Sequence, residues 1–531
     1  MPNDCVTYQK SGCFSNLIVD YLNQKEKLQP LYNRFPTLEN FKLQIAEKNK
    51  SFSLDKREIL VSTLEEQYKN IKASDKTIFN IGLLRKEKTF TVTTGHQLNL
   101  FTGPLYFLYK IVSVINLTKE LKEKYPECDF VPIYWMATED HDFEEINYFN
   151  FNNKKIKWNK ESKGPVGRLS TDGLEFVFEE FSAALGKGEN ANYLRELFKS
   201  SYLNHNTLTE ATRFLTNELF KNEGLVIIDG DDKNLKKTFA PYIKNELINQ
   251  TSFIEVNKTN SLLKDYKIQV NPREINLFYI LDNLRERIIF ENGFYSINNT
   301  NLKFTENEIL TELENYPERF SPNVILRPLY QEAILPNLCY VGGGGELAYW
   351  LELKSNFEAN SVTFPILLLR NSVLIVTEKQ TKKATKLNLC WSDFFLSQEK
   401  LIEKKTKEFS QFEIDFTKQK LYLSTQFFDL LEIAKKTDKS FIGAVKAQEA
   451  KQIKGLENLE KRLLKAEKKQ HALELNSIIQ LQNELFPNKN LQERNKNLSE
   501  FIEFINFSHF LGKLLEKTKP LQQKFTIIEI E

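Results

Sequence analysis

The sequence has few cysteines and almost no net charge. Its five cysteines among 531 residues are scattered, odd in number and without metal-ligand spacing, which indicates a reduced, cytoplasmic chain. The 73 basic and 71 acidic side chains leave a formal charge of only +2. A charge this small gives no reason to expect a nucleic acid or an anionic membrane as partner.

Long hydrophobic runs are also absent. No apolar segment approaches the roughly 20 residues that a membrane-spanning helix needs, and the N-terminal MPNDCVTYQK lacks an apolar secretory core. We therefore expect a cytosolic chain without a membrane partner. Its length is enough for several domains and a large core.

Two familiar phosphate-binding signatures are missing. Four consecutive glycines at residues 342–345 precede a helical stretch, yet no Gly-Lys-Ser/Thr and no G-x-G-x-x-G accompanies them. A glycine run lets a ligand approach the backbone closely, and here it precedes a helix start, which can bind an anion. A tight structural turn explains the run equally well.

Residues 89–146 hold the pattern around which the chain is organised. Residues 89–94 are β-branched and aromatic, which is typical of a buried strand, and Gly95 ends that strand. Gly103 and Pro104 mark a helix start, and Pro126 ends the helix. Residues 130–137 are apolar enough for a second buried strand. The pattern predicts a β-loop-α-β unit with parallel strands.

The carboxyl ends of these two strands should meet at one crevice, where open α/β sheets bind their ligands. Residues 94–103 leave the first strand and residues 138–145 leave the second. His96 and His141 fall on these two loops and become candidates for the site, although hydrogen-bonded structural histidines are the alternative. The free N–H groups of the helix start face the same crevice and suit an anion.

An acidic run surrounds His141. Glu139, Asp140 and Asp142 follow the second strand directly. Such carboxylates can serve as a general base, bind a cationic amine, or hold Mg²⁺ together with substrate phosphates. A solvated loop with helix-capping acids is the alternative. Because no cysteine or third histidine stands nearby, we assign no metal ligands.

A second strand-loop-helix-strand unit spans residues 323–376 and contains the glycine run. Arg327 can bind a carboxylate or phosphate bidentately, or form a buried ion pair with the acidic run. Lys110 lies one turn after Tyr106 on the first helix. It can reach an anion at the helix start, although a solvated surface lysine is the default.

The remaining stretches predict a cap and a helical extension. Residues 225–229 indicate another buried strand, and residues 275–297 a small antiparallel sheet of the kind that covers a pocket. Residues 438–486 predict one long helix with a heptad seam, which forms a hairpin or coiled coil with residues 392–420. A terminal helix after residue 491 should return to the core.

Five blocks of the sequence resemble one family, the cysteine-adding enzymes of bacillithiol biosynthesis, also called cysteine ligases. The resemblance spans nearly the whole chain. The blocks are TGHQLNLFTGPLYFLYK, VPIYWMATEDHDFEEIN, NVILRPLYQE, YVGGGGELAYW and LQERNKN, at residues 94–110, 131–147, 323–332, 340–350 and 491–497.

The resemblance implies an α/β fold: a Rossmann-like parallel sheet core with inserted connecting segments and a C-terminal α-helical coiled coil that makes a homodimer. It also implies a reaction, the joining of cysteine through an amide to the amine of glucosaminyl-malate in the last step of bacillithiol synthesis. Forming an amide from a carboxylate needs activation, for which ATP is the expected cosubstrate and Mg²⁺ a candidate companion ion.

The sequence and the resemblance together divide the chain into five parts. Residues 1–147 hold N-terminal helices and the first half of the core, and residues 148–322 hold a core strand with connecting and cap segments. Residues 323–378 complete the core, residues 379–487 form the dimerising coiled coil, and residues 488–531 form a helix that returns to the core.

The expected site lies at the crevice. ATP would lie near residues 95–104 with its phosphates at the helix start, an acidic residue or His141 would accept the amine proton, and Arg327 with the glycine run would hold the malate carboxylates or the acyl-phosphate. Catalytic roles are predicted for Glu139, Asp140, His141 and Asp142. Substrate or nucleotide contacts are predicted for Thr94, Gly95, His96, Gln97, Thr102, Gly103, Pro104, Tyr106, Lys110, Trp135, Arg327, Tyr330, Gln331, Gly342, Gly343, Gly344, Gly345, Glu346 and Tyr349.

Two other functions fit the same residues. One is a different adenylate-forming or nucleotidyl-transfer enzyme that acts on another small acceptor. The other is a non-catalytic coiled-coil scaffold whose α/β part is merely structural. The polar loops at the strand ends favour an enzyme, and ATP-dependent turnover would separate the alternatives.

Overall fold

Residues 5–530 are described by a computed structural model, and they form two units. The larger contains Thr7–Ile375 and the C-terminal segment that begins at Gln492, and we call it the α/β unit. The smaller consists mainly of Val376–Leu491, and we call it the helical unit. Within residues 5–530, no helix is both long enough and apolar enough to cross a membrane.

The strands form one parallel sheet, one larger antiparallel sheet and two strand pairs. The pairs are β3 with β4 and β13 with β14. In chain order the strands are β1 (Thr89–His96), β2 (Asp129–Met136), β3 (Tyr148–Phe151), β4 (Lys154–Lys157), β5 (Val226–Asp229), β6 (Leu277–Leu281), β7 (Leu284–Glu291), β8 (Phe294–Ile297), β9 (Lys303–Phe304), β10 (Phe320–Pro322), β11 (Asn337–Gly342), β12 (Ile366–Leu369), β13 (Val373–Thr377) and β14 (Thr526–Ile530).

The helices α16–α20 belong to the helical unit, and the others to the α/β unit. In chain order they are α1 (Asn16–Leu22), α2 (Leu38–Ser51), α3 (Leu54–Tyr68), α4 (Asp75–Leu83), α5 (Tyr106–Lys124), α6 (Phe143–Ile146), α7 (Leu174–Ala184), α8 (Glu189–Phe198), α9 (Leu208–Phe220), α10 (Lys233–Asn249), α11 (Thr251–Leu262), α12 (Glu306–Asn315), α13 (Arg327–Ile334), α14 (Gly344–Trp350), α15 (Lys354–Ala359), α16 (Glu378–Lys386), α17 (Gln398–Phe409), α18 (Thr417–Ala434), α19 (Lys439–Gln470), α20 (Ala472–Leu485), α21 (Gln492–Asn495), α22 (Ser499–Ile502) and α23 (Phe507–Lys517).

Five parallel strands form the central sheet in the order β5-β2-β1-β11-β12. Counted along the chain this is 3-2-1-4-5, the strand order of a doubly wound Rossmann sheet. The order reverses beside β1, which leaves a crevice at the carboxyl ends of β1 and β11. The predicted parallel pairing of the first two strands is confirmed, from Thr89 opposite Asp129 to His96 opposite Met136.

The two faces of β1 meet different surroundings because side chains alternate along a strand. Phe90 and Val92 enter an apolar core that also contains Val114 and Leu117 of α5 and Phe41 of α2. This packing explains why the strand and the helix that follows it are both apolar on one side. It fixes α5 against the sheet.

The threonines on the other face of β1 begin a buried polar network. The hydroxyls of Thr91 and Thr93 donate to Asn337 Oδ1 at 3.1 and 2.8 Å. Asn337 Nδ2 donates to Glu332 Oε1 at 2.7 Å, and Glu332 Oε2 lies 3.4 Å from Lys48 Nζ. A buried network in which the members find partners makes the core specific and rigid.

An antiparallel sheet in the order β10-β6-β7-β8-β9 lies in the segment between β5 and β11. We call it the cap sheet. Its three long strands agree with the antiparallel sheet that was predicted for residues 275–297. Asp282 and Asn283 turn the chain between β6 and β7, and Asn292 and Gly293 do so between β7 and β8. Both turns contain residue types that tight β-hairpins prefer.

Two predicted boundaries in the first β-loop-α-β unit are wrong. Gly95 does not end β1, because Gly95 and His96 both continue the parallel register with β2. The following helix begins at Tyr106 rather than at Pro104. Gly103 has a φ of 60°, outside the helical region, so the chain reaches the helix only after this turn.

The helical unit contains an antiparallel hairpin of α18 and α19. Lys420 pairs with Glu460 at 2.6 Å near one end, and Phe427 and Ala434 pack with Val445 towards the other. The sequence predicted a hairpin, but it assigned residues 392–420 as the partner of the long helix. The helix that pairs with α19 is instead α18 (Thr417–Ala434), and α17 makes smaller contacts with α19 and α20.

The single long helix predicted over residues 438–486 is wrong. His471 has φ −100° and ψ 25°, and it separates α19 from α20. Two members of the predicted heptad seam, Leu459 and Leu473, are 52% and 82% exposed. The seam is therefore uncovered at these two positions of the described chain.

The predicted terminal helix after residue 491 is also wrong. The segment forms the short helices α21, α22 and α23 and then β14. It breaks at Asn497, whose Nδ2 donates to the carbonyls of Phe101 and Gly103 at 2.8 and 2.6 Å. The expected return to the core does occur, because this segment belongs to the α/β unit.

A buried carboxylate holds the backbone that leads to the cap sheet. Glu352 is fully buried and accepts hydrogen bonds from the N–H groups of Gln269 and Val270 at 2.7 and 3.2 Å. Burial raises the pKa of Glu352 to about 7, and the two N–H groups only partly oppose the shift. The fold therefore favours the protonated carboxyl.

Glu352→Gln should make the protein less sensitive to pH. A folded pKa of about 7 against an unfolded value near 4.3 means that wild-type stability falls as pH rises through this window and is level above it. The variant lacks this loss, so its free energy of unfolding relative to wild type should rise by up to about 3 kcal/mol between about pH 4.5 and pH 8. Urea unfolding at both pH values measures the difference.

The exposed Glu358 provides the matched control, because its side chain is 63% exposed. Glu358→Gln removes a carboxylate of the same type from an exposed position and should not reproduce the gain of up to about 3 kcal/mol. A Glu352→Gln variant that behaves in the same way would contradict the assignment.

Candidate active site

A cavity of about 720 Å³ opens at the carboxyl edge of the central sheet, which is the size of a small-molecule site. The acidic loop after β2 (residues 138–142) and the glycine segment at the start of α14 (residues 343–345) both line it. The cap sheet contributes the facing wall. The lining residues are Gly95, His96, Gln97, Tyr106, Lys110, Trp135, Met136, Ala137, Thr138, Glu139, Asp140, His141, Asp142, Asn271, Arg273, Ile275, Leu277, Phe278, Arg285, Arg287, Pro322, Asn323, Val324, Arg327, Tyr340, Gly343, Gly344, Gly345, Glu346, Tyr349, Arg370 and Arg494.

Glu346 joins several pieces of the cavity wall. Its carboxylate lies 2.7 Å from Lys110 Nζ, and it accepts hydrogen bonds from the Tyr340 hydroxyl at 2.7 Å and the Gly343 N–H at 2.8 Å. Lys110 also donates to the carbonyl of Gly95 at 2.8 Å. Burial alone would raise the pKa of Glu346, yet Lys110 and these donors hold it below its usual value. Lys110 is thus a buried partner of Glu346, and the expectation of a solvated surface lysine is wrong.

The acidic loop is held by residues on both sides. Asp140 accepts hydrogen bonds from Gln97 Nε2 at 2.9 Å and from the His141 N–H at 2.8 Å. Glu139 is buried against Lys236, and burial raises the pKa of its carboxyl. The Asp142 carboxylate is 56% exposed and lies 3.9 Å from His141 Nε2. Asp142 is the most open of the three acids.

His141 is in contact with the cap sheet. Its Nδ1 lies 2.6 Å from Arg285 Nη1, and its ring centroid is 5.5 Å from that of Phe278. The Arg285 guanidinium stacks over the same phenyl ring at 4.0 Å. The cap sheet therefore positions the only cavity histidine whose side chain is substantially exposed among the described residues.

His96 occupies a different environment. It ends β1, is 7% exposed, and packs against the rings of Tyr106 and Phe107 at 5.3 and 5.2 Å. Burial, followed by the charges of Lys110 and Arg370, holds the pKa of His96 well below its usual value. His96 is therefore a neutral part of the cavity wall. The prediction that it lies on a loop is wrong, because it belongs to β1.

Cationic side chains outnumber carboxylates around the cavity. Arg370 is paired with Glu493 at 2.6 Å, and Lys110 with Glu346. Arg327 instead donates to Gln331 Oε1 at 3.1 Å and contacts the Tyr349 hydroxyl at 3.5 Å. Within residues 5–530, no carboxylate lies within ion-pair distance of Arg273, Arg287, Arg327 or Arg494. These arginines leave positive charge available for an anionic ligand.

Most of the predicted site residues line this one cavity. Those brought together are Gly95, His96, Gln97, Tyr106, Lys110, Trp135, Glu139, Asp140, His141, Asp142, Arg327, Gly343, Gly344, Gly345, Glu346 and Tyr349. The buried ion pair considered for Arg327 with the acidic loop does not form.

Four other predicted residues lie behind the cavity wall. The Thr94 hydroxyl donates to the Val341 carbonyl at 2.7 Å between two strands. Tyr330 is fully buried and donates to the Gly230 carbonyl at 2.7 Å. Gln331 supports Arg327, and Gly342 ends β11. Sequence position could not show which way these side chains face.

The anion site that was predicted at the start of α5 is not part of the cavity. Thr102, Gly103 and Pro104 do not line it. The Leu105 N–H instead donates to the Lys496 carbonyl at 2.9 Å. The C-terminal segment therefore occupies one of the N–H groups that were expected to meet phosphate.

Sequence reasoning missed the residues that other parts of the chain bring to the cavity. Arg285 and Arg287 come from β7, and Arg273 precedes β6. Arg370 follows β12, and Arg494 comes from α21. The alternation of β7 places Arg285 and Arg287 on one face, and Arg494 lies within the LQERNKN block, so these were the available signals.

The acidic loop does not fit a metal ion as it stands. Ligand atoms of Asp140, His141 and Asp142 lie within 4.8 Å of one another. However, His141 Nδ1 faces a guanidinium, and both oxygens of Asp140 already accept hydrogen bonds. No step of the chemistry is therefore assigned to a metal at these residues.

Comparison with known proteins identifies similar sequences over the whole length. Residues 1–371 match the family model described as "Bacillithiol biosynthesis BshC, N-terminal Rossmann-like domain". Residues 373–530 match the model described as "Bacillithiol biosynthesis BshC, C-terminal coiled-coil domain". The resemblance and the fold class stated from the sequence are thus confirmed.

Three curated relatives show how far the similarity extends, and each is named "Putative cysteine ligase BshC". The protein of Flavobacterium johnsoniae is 63% identical over 530 residues and covers 100% of both chains. The protein of Cytophaga hutchinsonii is 39% identical and the match covers 96% of both chains. The protein of Bacillus anthracis is 29% identical, and the match covers 97% of this chain and 98% of the relative. A solved Campylobacter jejuni chain described as a "putative arginyl t-RNA synthetase" covers 88% of this chain and 98% of its own at 11% identity, with a TM-score of 0.22, which is too low to indicate a shared fold.

The Lys110–Glu346 pair should behave as one unit in a double-mutant cycle. Glu346→Gln leaves the buried Lys110 without its counterpart, and Lys110→Met does the same to the partly buried Glu346, so each should lower the free energy of unfolding by up to about 3 kcal/mol. The double variant should cost at least about 1 kcal/mol less than the sum. Urea unfolding of the four proteins measures the coupling.

The exposed pair Lys69–Glu66 supplies the comparison, because both side chains are more than 60% exposed. The corresponding cycle with Lys69→Met and Glu66→Gln should give under about 0.5 kcal/mol of coupling. Additive losses at Lys110 and Glu346 would show that the pair does not link the cavity wall.

Proposed function

This chain belongs to the bacillithiol biosynthesis BshC family, and from that premise we propose that it is an amide-forming ligase that joins cysteine to the amine of glucosaminyl-malate. The observation that carries the proposal is a single cavity lined by both the acidic loop and a surplus of arginines. The first can receive an amine and its proton, and the second can hold carboxylates.

The malate part of the acceptor would lie against the arginines. Malate attached to a sugar carries two carboxylates, and planar guanidinium groups bind carboxylates through paired hydrogen bonds. Arg327 is well placed because Gln331 and Tyr349 support it without neutralising it. Arg273, Arg287 and Arg494 supply further positive charge on the same cavity.

ATP would activate the cysteine carboxylate. Attack of that carboxylate on a phosphorus of ATP gives either an acyl-adenylate and pyrophosphate or an acyl-phosphate and ADP. The glucosamine amine then attacks the acyl carbon, so that a C–N bond forms, the C–O bond to the phosphate breaks, and a proton leaves the nitrogen. Mg²⁺ would accompany ATP as its counterion, without ligands assigned from this chain.

The acidic loop would accept the proton that leaves the amine. Asp142 is open to the cavity and Asp140 is held by Gln97 and the loop backbone, so the two carboxylates offer different accessibility. Glu139 is less suited because Lys236 already pairs with it. We therefore place the general base among Asp140 and Asp142, with the acids also attracting the ammonium form of the substrate.

The reaction can be tested directly with the purified chain. Incubation with glucosaminyl-malate, cysteine and ATP should give the cysteinyl amide, detected by its mass, together with ADP or AMP. Asp140→Asn and Asp142→Asn should each be compared with wild type, and at least one should lower kcat by roughly 10²-fold or more. Asp265→Asn is the matched control, because that side chain is 78% exposed and lies outside the cavity.

The outcomes separate the alternatives. Amide formation with another acceptor would favour a related adenylate-forming or nucleotidyl-transfer enzyme, and no nucleotide-dependent turnover would favour the scaffold. Full activity in both aspartate variants would refute the role of the acidic loop while leaving the reaction itself intact. The five unpaired cysteines agree with a cytoplasmic site of action.

We also propose that the helical unit forms a homodimer. Its hairpin buries Phe427 and Ala434 inside, yet Leu421, Tyr422 and Phe428 on α18 are 60–71% exposed. Apolar side chains gathered on one exposed helix surface are typical of a protein interface. A second copy of this hairpin would cover them.

Phe428→Lys combined with Leu421→Lys should convert the dimer to a monomer, because two charges would be desolvated at the interface. Light scattering after size-exclusion chromatography should give the mass of two chains for wild type and of one chain for the variant. Lys382→Gln on α16, a 71%-exposed residue outside the patch, should remain dimeric. A monomeric wild type would refute the proposal.

A further inference from the structure

Three contacts within the cap sheet orient the Arg285 side chain. Its Nε donates to the Ser321 hydroxyl at 3.3 Å, and its Nη2 donates to the Pro322 carbonyl at 3.4 Å. Its guanidinium lies 4.0 Å from the centroid of Phe278. These contacts leave Nη1 as the nitrogen that points to the acidic loop.

Arg285 Nη1 meets His141 Nδ1 at 2.6 Å. A guanidinium has only donors and does not lose its proton in proteins, so the facing imidazole nitrogen must offer its lone pair. An imidazole with a free lone pair at Nδ1 is neutral and carries its hydrogen on Nε2. The tautomer of His141 follows from the chemistry of its partner.

The other groups around His141 leave this arrangement intact. Asp140 Oδ1 lies 3.8 Å from Nδ1 and Asp142 Oδ1 lies 3.9 Å from Nε2, both beyond hydrogen-bond distance. Phe278 packs against the ring. The Nε2–H group therefore makes no hydrogen bond to either aspartate of the acidic loop, and it is available to a ligand in the cavity.

We propose that Arg285 is a positioning residue that fixes His141 as the Nε2–H tautomer, so that His141 presents a hydrogen-bond donor to the cavity and not a base. Nδ1 cannot take a proton without displacing Arg285, and Nε2 already carries one. Within the proposed ligase reaction, on which this consequence rests, the amine proton passes to a carboxylate and His141 donates to the oxygen on which negative charge develops.

Nitrogen NMR of the full chain tests the tautomer without any substrate. The chain has five histidines, so a ¹⁵N-histidine sample gives few signals, and His141→Gln identifies the one of interest. At about pH 8.5, where imidazoles are neutral, wild-type His141 should show a protonated Nε2 and an unprotonated Nδ1. The Nδ1 resonance should be shifted by the accepted hydrogen bond.

Two substitutions of Arg285 sharpen the measurement. Arg285→Met should move the Nδ1 resonance towards that of an imidazole exchanging between tautomers, while Arg285→Lys, which can still donate, should stay near wild type. Arg287→Met is the matched control, because it removes the same charge from the same strand without a contact to His141. A wild-type Nδ1 that carries hydrogen, or a spectrum that Arg285→Met leaves unchanged, would overturn the proposal.

Activity tests the donor role separately. His141→Gln keeps an N–H donor and should retain kcat within roughly tenfold of wild type, whereas His141→Leu should lose roughly 10²-fold. Equal losses in both variants would refute the donor role. If the chain shows no ligase activity, the proposed function fails, but the spectra still decide the tautomer.

Discussion

An ion pair between the buried Lys110 and the partly buried Glu346 joins the parts of the sheet that make the cavity. Lys110 comes from α5 and holds the Gly95 carbonyl at the end of β1, while Glu346 comes from α14 and accepts from Tyr340 of β11. The two charges are tolerated in the cavity wall because each is paired and hydrogen-bonded. The pair fixes the ends of β1 and β11 where the strand order reverses, which is where a Rossmann sheet binds ligands. The glycine segment and the acidic loop take their places around that point.

The cap sheet completes the site with charge of the opposite sign. The central sheet supplies the acidic loop, whereas Arg285 and Arg287 on β7 supply guanidinium groups from the facing wall. The chain as a whole is nearly neutral, so its net charge conceals this local separation. A substrate that carries both an amine and carboxylates matches such a cavity better than a ligand of one charge. The contact between Arg285 and His141 links the two walls directly.

Much of the fold could be predicted from the sequence because the strands of the α/β unit are short, apolar and followed by polar turns. The parallel pairing of β1 and β2 and the antiparallel cap sheet agree with those patterns. The errors arose where local chemistry was outweighed by long-range contacts. His96 extends β1 because it pairs with β2, and the start of α5 is covered by the segment around Asn497. His471 interrupts a helix that periodicity alone would continue.

The sequence by itself determined the composition of the strand-end loops, and hence the acids at residues 139–142 and the glycines at residues 342–345, and its motifs identified the family. Only the tertiary structure decided which side chains reach the cavity. Tyr330 and Thr94 lie beside the site along the chain but face inward, while Arg285, Arg370 and Arg494 are remote along the chain and meet there. The physical reason is that periodicity reports which face of an element is apolar, whereas the meeting of polar side chains depends on how separate elements pack and which buried charges find partners.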